Sequence, residues 1–210
     1  MAATPLGLFD AWIRSATNYW VAMVCDGLVA LVFLALGLSR ASGPPVGSVA
    51  AVVAGLFCWG FLEYALHRWL LHGRPSPARD GHARHHAHPR ALVSTPAFVI
   101  PAIACAVWWL LHLVLPGGLA AFVVFGMYAG FDYFSVLHHL QHHGGADLTR
   151  VAYLRRLEHL HHLHHGRPTV NFGVSTTLWD RIFGTFQPAN APRPPMSGRD
   201  HHGQARRDSQ

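Results

Sequence analysis

The run LAAFVVFGMYAGFDYFSVLHHLQHH, residues 119–143, carries an apolar segment straight into a cluster of histidines. From Leu119 to Leu137 the only charged side chain is Asp132. A stretch of about 20 such residues can cross a bilayer as a helix. His138, His139, His142 and His143 follow at once, with His138 and His142 one helical turn apart on one face. The rest of the chain repeats both themes. It is 51% apolar and only 12% charged, about half the charged share of a soluble domain, and it holds 18 histidines.

Further apolar stretches lie near 19–38, 46–66 and 97–115 beside the one near 119–137. Ser39-Arg40-Ala41-Ser42-Gly43-Pro44-Pro45 links the first pair, and Pro116-Gly117-Gly118 links the second. Such turn-forming links make each pair a helical hairpin. The expected fold is therefore an all-α membrane protein, four transmembrane helices in two hairpins, forming a single domain over 1–187. The stretch 188–210, rich in Pro, Arg, Ser and Gly, is expected to be a disordered tail that includes His201 and His202. No removable signal peptide is expected.

Two hairpins put the N-terminus, residues 67–96 and everything after 138 on one side. All 16 basic residues are arginine, and only Arg40 falls on the opposite side. The positive-inside rule makes the arginine-rich side cytoplasmic. The basic charge follows topology, so no nucleic-acid partner is expected. Of the histidines, only His112 lies within a span; it is expected to pack and hydrogen-bond between helices. Cys25, Cys58 and Cys105 sit in apolar stretches without C-x-x-C spacing and read as buried hydrophobes.

The histidines fall into four groups on the cytoplasmic side: His67 and His72; His82, His85, His86 and His88; His138, His139, His142 and His143; His159, His161, His162, His164 and His165. Spacings of three and four align His82/His85/His86 and His161/His164/His165 on helix faces. His67 and His72 are five apart, so they converge only if the helix unwinds there, or else they serve different metals. Neutral imidazole is the commonest metal ligand and suits iron, copper, zinc or nickel. Among membrane-depth carboxylates, Glu63 precedes His67 by one turn and Asp132 precedes His138 by about a turn and a half, and both are candidates to orient ligand rings; pairing to arginine or an interhelical cavity is the alternative.

Glu63-Tyr64-Ala65-Leu66-His67-Arg68-Trp69-Leu70-Leu71-His72 resembles the first histidine box of the membrane fatty acid hydroxylase and sterol desaturase superfamily. His82-Ala83-Arg84-His85-His86, then His138 through His142, then His161-His162-Leu163-His164-His165 are similar to its later boxes. Asn171-Phe172-Gly173-Val174 and Leu178-Trp179-Asp180-Arg181-Ile182-Phe183-Gly184-Thr185 resemble its closing signature. The boxes resemble those of the fatty acid 2-hydroxylases in particular, although Pro89-Arg90-Ala91-Leu92-Val93 is shorter than their segment after the second box.

The resemblance implies metal ligands His67, His72, His82, His85, His86, His138, His142, His161, His164 and His165. His143, His159 and His162 remain alternative registers, and Asn171 and Asp180 join Glu63, Asp132 and His143 as supporting residues. It implies a helical histidine-rich cytosolic cap over four spans and two iron ions, with zinc able to replace iron in purified protein. It also implies electrons from a separate cytochrome b5-like or ferredoxin-like protein, a lipid substrate in the bilayer, and oxygen-dependent hydroxylation of a fatty acyl chain in a bacterial inner membrane. Sterol desaturation and carotenoid hydroxylation are the neighbouring chemistries. A histidine-rich metal transporter is the alternative from another class, but transporters place ligands near the bilayer midplane, often within inverted repeats.

Overall fold

The computed structural model describes residues 11–92, 94–144 and 147–188, with the backbone alone at Thr149. The tail expected over 188–210, with His201 and His202, lies outside the described residues except for Pro188. Every regular element described is helical: α1 (Ala16–Ser39), α2 (Pro45–Ala65), a π-helical turn (Leu66–Leu71), α3 (Pro77–Ala87), α4 (Val99–His112), α5 (Leu119–His143), a 3-10 turn (Leu148–Arg150), α6 (Ala152–Gly166) and α7 (Leu178–Ile182).

Local sequence explains the boundaries. The Ser15 hydroxyl caps α1 by accepting from Asn18 N, and the Ser76 hydroxyl caps α3 by accepting from Arg79 N, with Pro77 opening the helix. Three helices are long and apolar enough to cross a membrane: Ala16–Ser39, Pro45–Leu71 and Leu119–His143. The stretch expected to span over 97–115 differs. Its helix, α4, has 14 residues, about 21 Å at 1.5 Å per residue against an apolar core of about 30 Å. The buried Asn18 explains the late start: its amide donates to Ser94 Oγ and Thr95 O and accepts from Ala97 N, holding that backbone outside a helix.

α5 is the central helix. Tyr19 meets His139 at one end of α1, and Gly37 meets Phe122 at the other, so α1 runs antiparallel to α5. Gly55 faces Gly126 and Trp59 faces Gly130, so α2 runs parallel to it. The Gly55–Gly126 crossing brings backbones into contact. A Cβ on Gly126 would stand 2.2 Å from Val52 O, and one on Gly55 would stand 2.1 Å from Val123 O. Small residues at such crossings are how apolar helices associate without a hydrophobic drive from water. α4 packs on α1 and α5 through Ala104, Phe33, Ala121, Val124 and Tyr128. The outward faces, with Val24, Leu28, Leu31, Val49, Val53 and Phe57, are exposed and apolar. Cys58 and Cys105 lie on these outward faces rather than buried, and Cys25 is half-buried. His112 is exposed at the end of α4 and stacks on Trp108 of its own helix, not between helices.

This arrangement carries the C-terminal ends of α2 and α5 to the same end of the bundle. α3, α6 and α7 gather there.

Candidate metal centre

The five-residue spacing of His67 and His72 is resolved by the π-helical turn between them. His72 N donates to His67 O at 3.1 Å, the i→i−5 bond of that geometry. A π turn sets residues five apart above one another, so both rings face the same point. Gly73 closes the turn, and only glycine fits: a Cβ there would lie 1.8 Å from Trp69 O.

Two groups of five histidines converge, each with ligand atoms within 4.8 Å of one another. The first is His67, His72, His82, His86 and His164; the second is His85, His138, His142, His161 and His165. α2 and its π turn serve only the first group, and α5 only the second. α3 and α6 serve both, because their faces at spacings of three and four straddle the boundary. His86 and His165 stack across it with ring centroids 4.3 Å apart, so the groups form one pocket.

The nitrogens are arranged as a donor shell. His82 Nε2 lies 3.0 Å from the Nε2 atoms of His67, His72 and His86. His72 and His164 Nε2 are also 3.0 Å apart. In the second group, His138 and His85 are separated by 3.1 Å, His142 and His161 by 2.8 Å, and His165 and His161 by 3.2 Å. One imidazole nitrogen carries a single proton or a single lone pair, so His82 Nε2 cannot hydrogen-bond to three rings. A metal–imidazole bond of about 2.1 Å places nitrogens about 3.0 Å apart at a right angle, and about 3.4 Å apart in a tetrahedron. The spacing fits a five- or six-coordinate ion with nitrogen ligands better than a closed tetrahedral site, so the residues fit a pair of metal ions.

Burial, and then the neighbouring rings, hold these side chains neutral. His82 and His165 are lowered to about 2, His164 to about 3, and His72 and His85 to about 4, from an ordinary 6.5. His86 is also lowered by burial, and His161 well below its ordinary value. Their lone pairs are therefore free for an ion at neutral pH.

The backbone of residues 170–175 aims two of these rings. Phe172 O accepts from His67 Nδ1 at 2.5 Å, and Val170 O accepts from His164 Nδ1 at 2.8 Å, leaving both Nε2 lone pairs inward. Two buried carboxylates hold this strap. Asp180 accepts from Phe172 N (2.8 Å), Gly173 N (2.8 Å) and Thr185 Oγ1 (2.7 Å). Glu63 accepts from Val174 N (2.6 Å), Ser175 N (2.9 Å) and the Ser175 hydroxyl. Asn171, at φ 53°, pairs both amide atoms with the Gln187 backbone. Glu63 thus reaches His67 through the strap and not directly.

Other candidates lie apart. Asp132 neighbours Asp26 on the α1–α5 side and makes no described bond to a histidine. His143 is exposed and stacks on His139. His159 is exposed, and His162 donates to Gln141 O at 3.2 Å, outside both groups. The Val170 and Phe172 carbonyls were not foreseeable as ring acceptors, since a backbone acceptor leaves no mark on residue identity. Ser175 and the Tyr19–His139 bond (2.9 Å) were also missed.

Residues 52–185 match the fatty acid hydroxylase family. A dihydroceramide fatty acyl 2-hydroxylase of Arabidopsis thaliana is 29% identical over 84% of this chain and 77% of its own length. A second from the same plant is 33% identical over 69% of this chain and 64% of its own. The fatty acid 2-hydroxylase of Mus musculus is 25% identical over 89% of this chain, which spans 51% of the mouse protein. Among solved structures, one titled full length scs7p, with only the hydroxylase domain visible, shares the fold at a TM-score of 0.68, with 22% identity over 90% of this chain and 72% of that one.

Proposed function

The chain belongs to the fatty acid hydroxylase family, and on that premise we propose that it hydroxylates a fatty acyl chain of a membrane lipid at the carbon next to the carbonyl, using dioxygen and two iron ions. The observation that carries this reading is the pair of five-nitrogen shells in one pocket. The relatives' names, fatty acyl and fatty acid 2-hydroxylases, support the position and favour hydroxylation over desaturation.

The iron pair, when bound, supplies the oxygen-activating redox chemistry. One oxygen atom enters a carbon–hydrogen bond and the other leaves as water, with two electrons and two protons consumed. The electrons come from a separate cytochrome b5-like or ferredoxin-like protein. His67, His72, His82, His86 and His164 would hold one ion, and His85, His138, His142, His161 and His165 would hold the other. The 170–175 strap keeps the His67 and His164 rings oriented. All-nitrogen ligation would leave bound ions more electrophilic than carboxylate ligation, which suits oxidation of a carbon–hydrogen bond.

The proposed setting is a bacterial inner membrane crossed four times, with α4 as the short fourth crossing. The histidine cap and both termini face the cytoplasm. Trp20 is exposed and meets His139 edge-on, and Trp69 is exposed on the π turn that carries His67. Tryptophan favours the membrane–water interface, so the metal pocket lies at headgroup depth, where the carbonyl end of an acyl chain resides.

The test is lipid mass spectrometry on cells expressing the protein or its His85→Ala variant. A lipid gaining one oxygen, absent with the variant, is expected. An unchanged lipid profile with iron and donor supplied refutes the proposal.

A further inference from the structure

Residues 172–185 leave the level of the metal centre, travel down the side of α2 and come back. The outward leg starts where Phe172 O accepts from His67 Nδ1 and where Glu63 takes Val174 N and Ser175 N. It then meets Gly60 of α2, where a Cβ would lie 3.3 Å from Trp179 Nε1 and 3.7 Å from Thr176 Cγ2. At the far point the Trp179 ring packs against Phe57 and Phe61, with centroids 5.0 and 4.9 Å away. The return leg brings Phe183 onto Tyr64 (5.2 Å) and Trp69 (5.7 Å), and the Thr185 hydroxyl to within 3.1 Å of the Tyr64 hydroxyl. Phe57 precedes His67 by ten residues, about 15 Å along a helix. That depth equals about half of a 30 Å apolar core, or one leaflet.

We infer that residues 176–183 form a re-entrant hairpin whose outer face lies among the lipid acyl chains of the leaflet nearest the metal centre. The inference goes beyond the proposed reaction and needs only that α2 crosses the bilayer. The outer face carries Leu178, Ile182 and Phe183, all exposed, and it continues the outward apolar side of α2 at the exposed Phe57. One surface therefore meets one solvent. Arg181 is the exposed charge of the segment, and its guanidinium lies 4.0 Å from the ring centroid of Phe186, on the exit side. A long cationic side chain drawn back in this way snorkels out of the apolar layer. Irregular backbone at membrane depth must find its hydrogen bonds inside the protein. At the entrance Asp180 takes Phe172 N and Gly173 N while Glu63 takes the next two N–H groups. At the tip Leu178 N donates to Thr176 Oγ1, Arg181 N to Thr177 O and Phe183 N to Trp179 O. A loop in water could leave such groups to solvent; here two buried carboxylates meet them.

The experiment places the full chain in lipid nanodiscs, in a background of Cys25→Ala, Cys58→Ala and Cys105→Ala, with one spin label per variant. Leu178→Cys and Ile182→Cys report on the hairpin. Val53→Cys on the outward face of α2 and Asp80→Cys on α3, both exposed positions, serve as the lipid and water references. Collision with dissolved oxygen, which concentrates among acyl chains, is compared with collision with a water-soluble nickel chelate. Labels at 178 and 182 should follow Val53, with oxygen access kept and nickel access lost, while Asp80 shows the reverse. Nickel access at 178 and 182 while Val53 is protected would overturn the inference. So would shielding from both reagents, which means that a second copy of the chain covers the face. Wild-type protein covers the case of a cysteine variant that does not fold. A phospholipid with a photoreactive diazirine in its acyl tail should tag peptides from 176–183 and α2 but not α3, and tags on α2 with none on 176–183 refute the hairpin. Neither measurement needs turnover, so failure to oxidise a lipid strikes the proposed function and leaves this result standing.

Discussion

Asp180→Asn should loosen one metal position and spare the other. Asp180 is 1% exposed, with Oδ1 taking Phe172 N and Thr185 Oγ1 while Oδ2 takes Gly173 N. Asparagine keeps an oxygen on the Oδ1 side and turns an NH₂ group toward the Gly173 N–H, donor against donor. A charge-assisted bond is lost and a buried N–H is left unmet, together about 3 kcal/mol. The global bundle does not depend on this contact, so the strain is relieved where it arises, in the 172–175 strap. Phe172 O then drifts from His67 Nδ1, and loss of such ring-orienting bonds costs about 10–100-fold in metal affinity, or about 1.4–2.7 kcal/mol. The second group receives no bond from the strap. The assay is metal release to a chelator followed over time, with circular dichroism as the fold control. Wild type should release both ions slowly, and Asp180→Asn should release one quickly and one at the wild-type rate. Equal acceleration of both ions, or none, would refute the coupling from Asp180 through Phe172 to His67.

Gly126→Ala drives a Cβ into Val52 O at 2.2 Å and should cost about 3 kcal/mol or more through forced separation of α2 and α5, read as a lower melting temperature and reduced yield of folded protein. Gly73→Ala drives a Cβ to 1.8 Å from Trp69 O and should break the π turn that brings His67 and His72 to one point; elemental analysis should show the first-group ion lost and the second kept. Metal-free protein should weaken in acid. Above the ordinary histidine value of 6.5 the folded and unfolded chains are both neutral; below it the unfolded chain binds protons that His82, His165, His72 and His85, lowered to about 2, 2, 4 and 4, refuse. Stability therefore falls as pH drops from 6.5 toward 4, and melting curves with a flat pH response over that window would contradict the buried, neutral state of these rings.

How much of this is visible in the sequence depends on what carries each feature. The long apolar runs of α1, α2 and α5 are legible because side-chain composition alone decides whether a helix suits a bilayer. The ligand faces of α3, α5 and α6 are legible because their spacings of three and four match a regular helix. His67 and His72 do not match one, since a π turn is a backbone departure that residue identity encodes only weakly, through Gly73. The 97–115 stretch reads as a full span by composition, but the Asn18 side chain, from 76 positions earlier, competes for its first backbone groups. Glu63, one turn before His67, suggests direct contact with that ring, whereas Glu63 and Asp180 both act on the N–H groups of a strap whose carbonyls do the orienting.

The most direct measurement of the central claim is the metal content of purified protein beside His82→Ala and His161→Ala, which each remove one nitrogen from a different group. Two ions per chain in the wild type and close to one in each variant is the predicted result. A single ion in the wild type, or loss of both ions from either variant, would contradict two separate five-histidine sites.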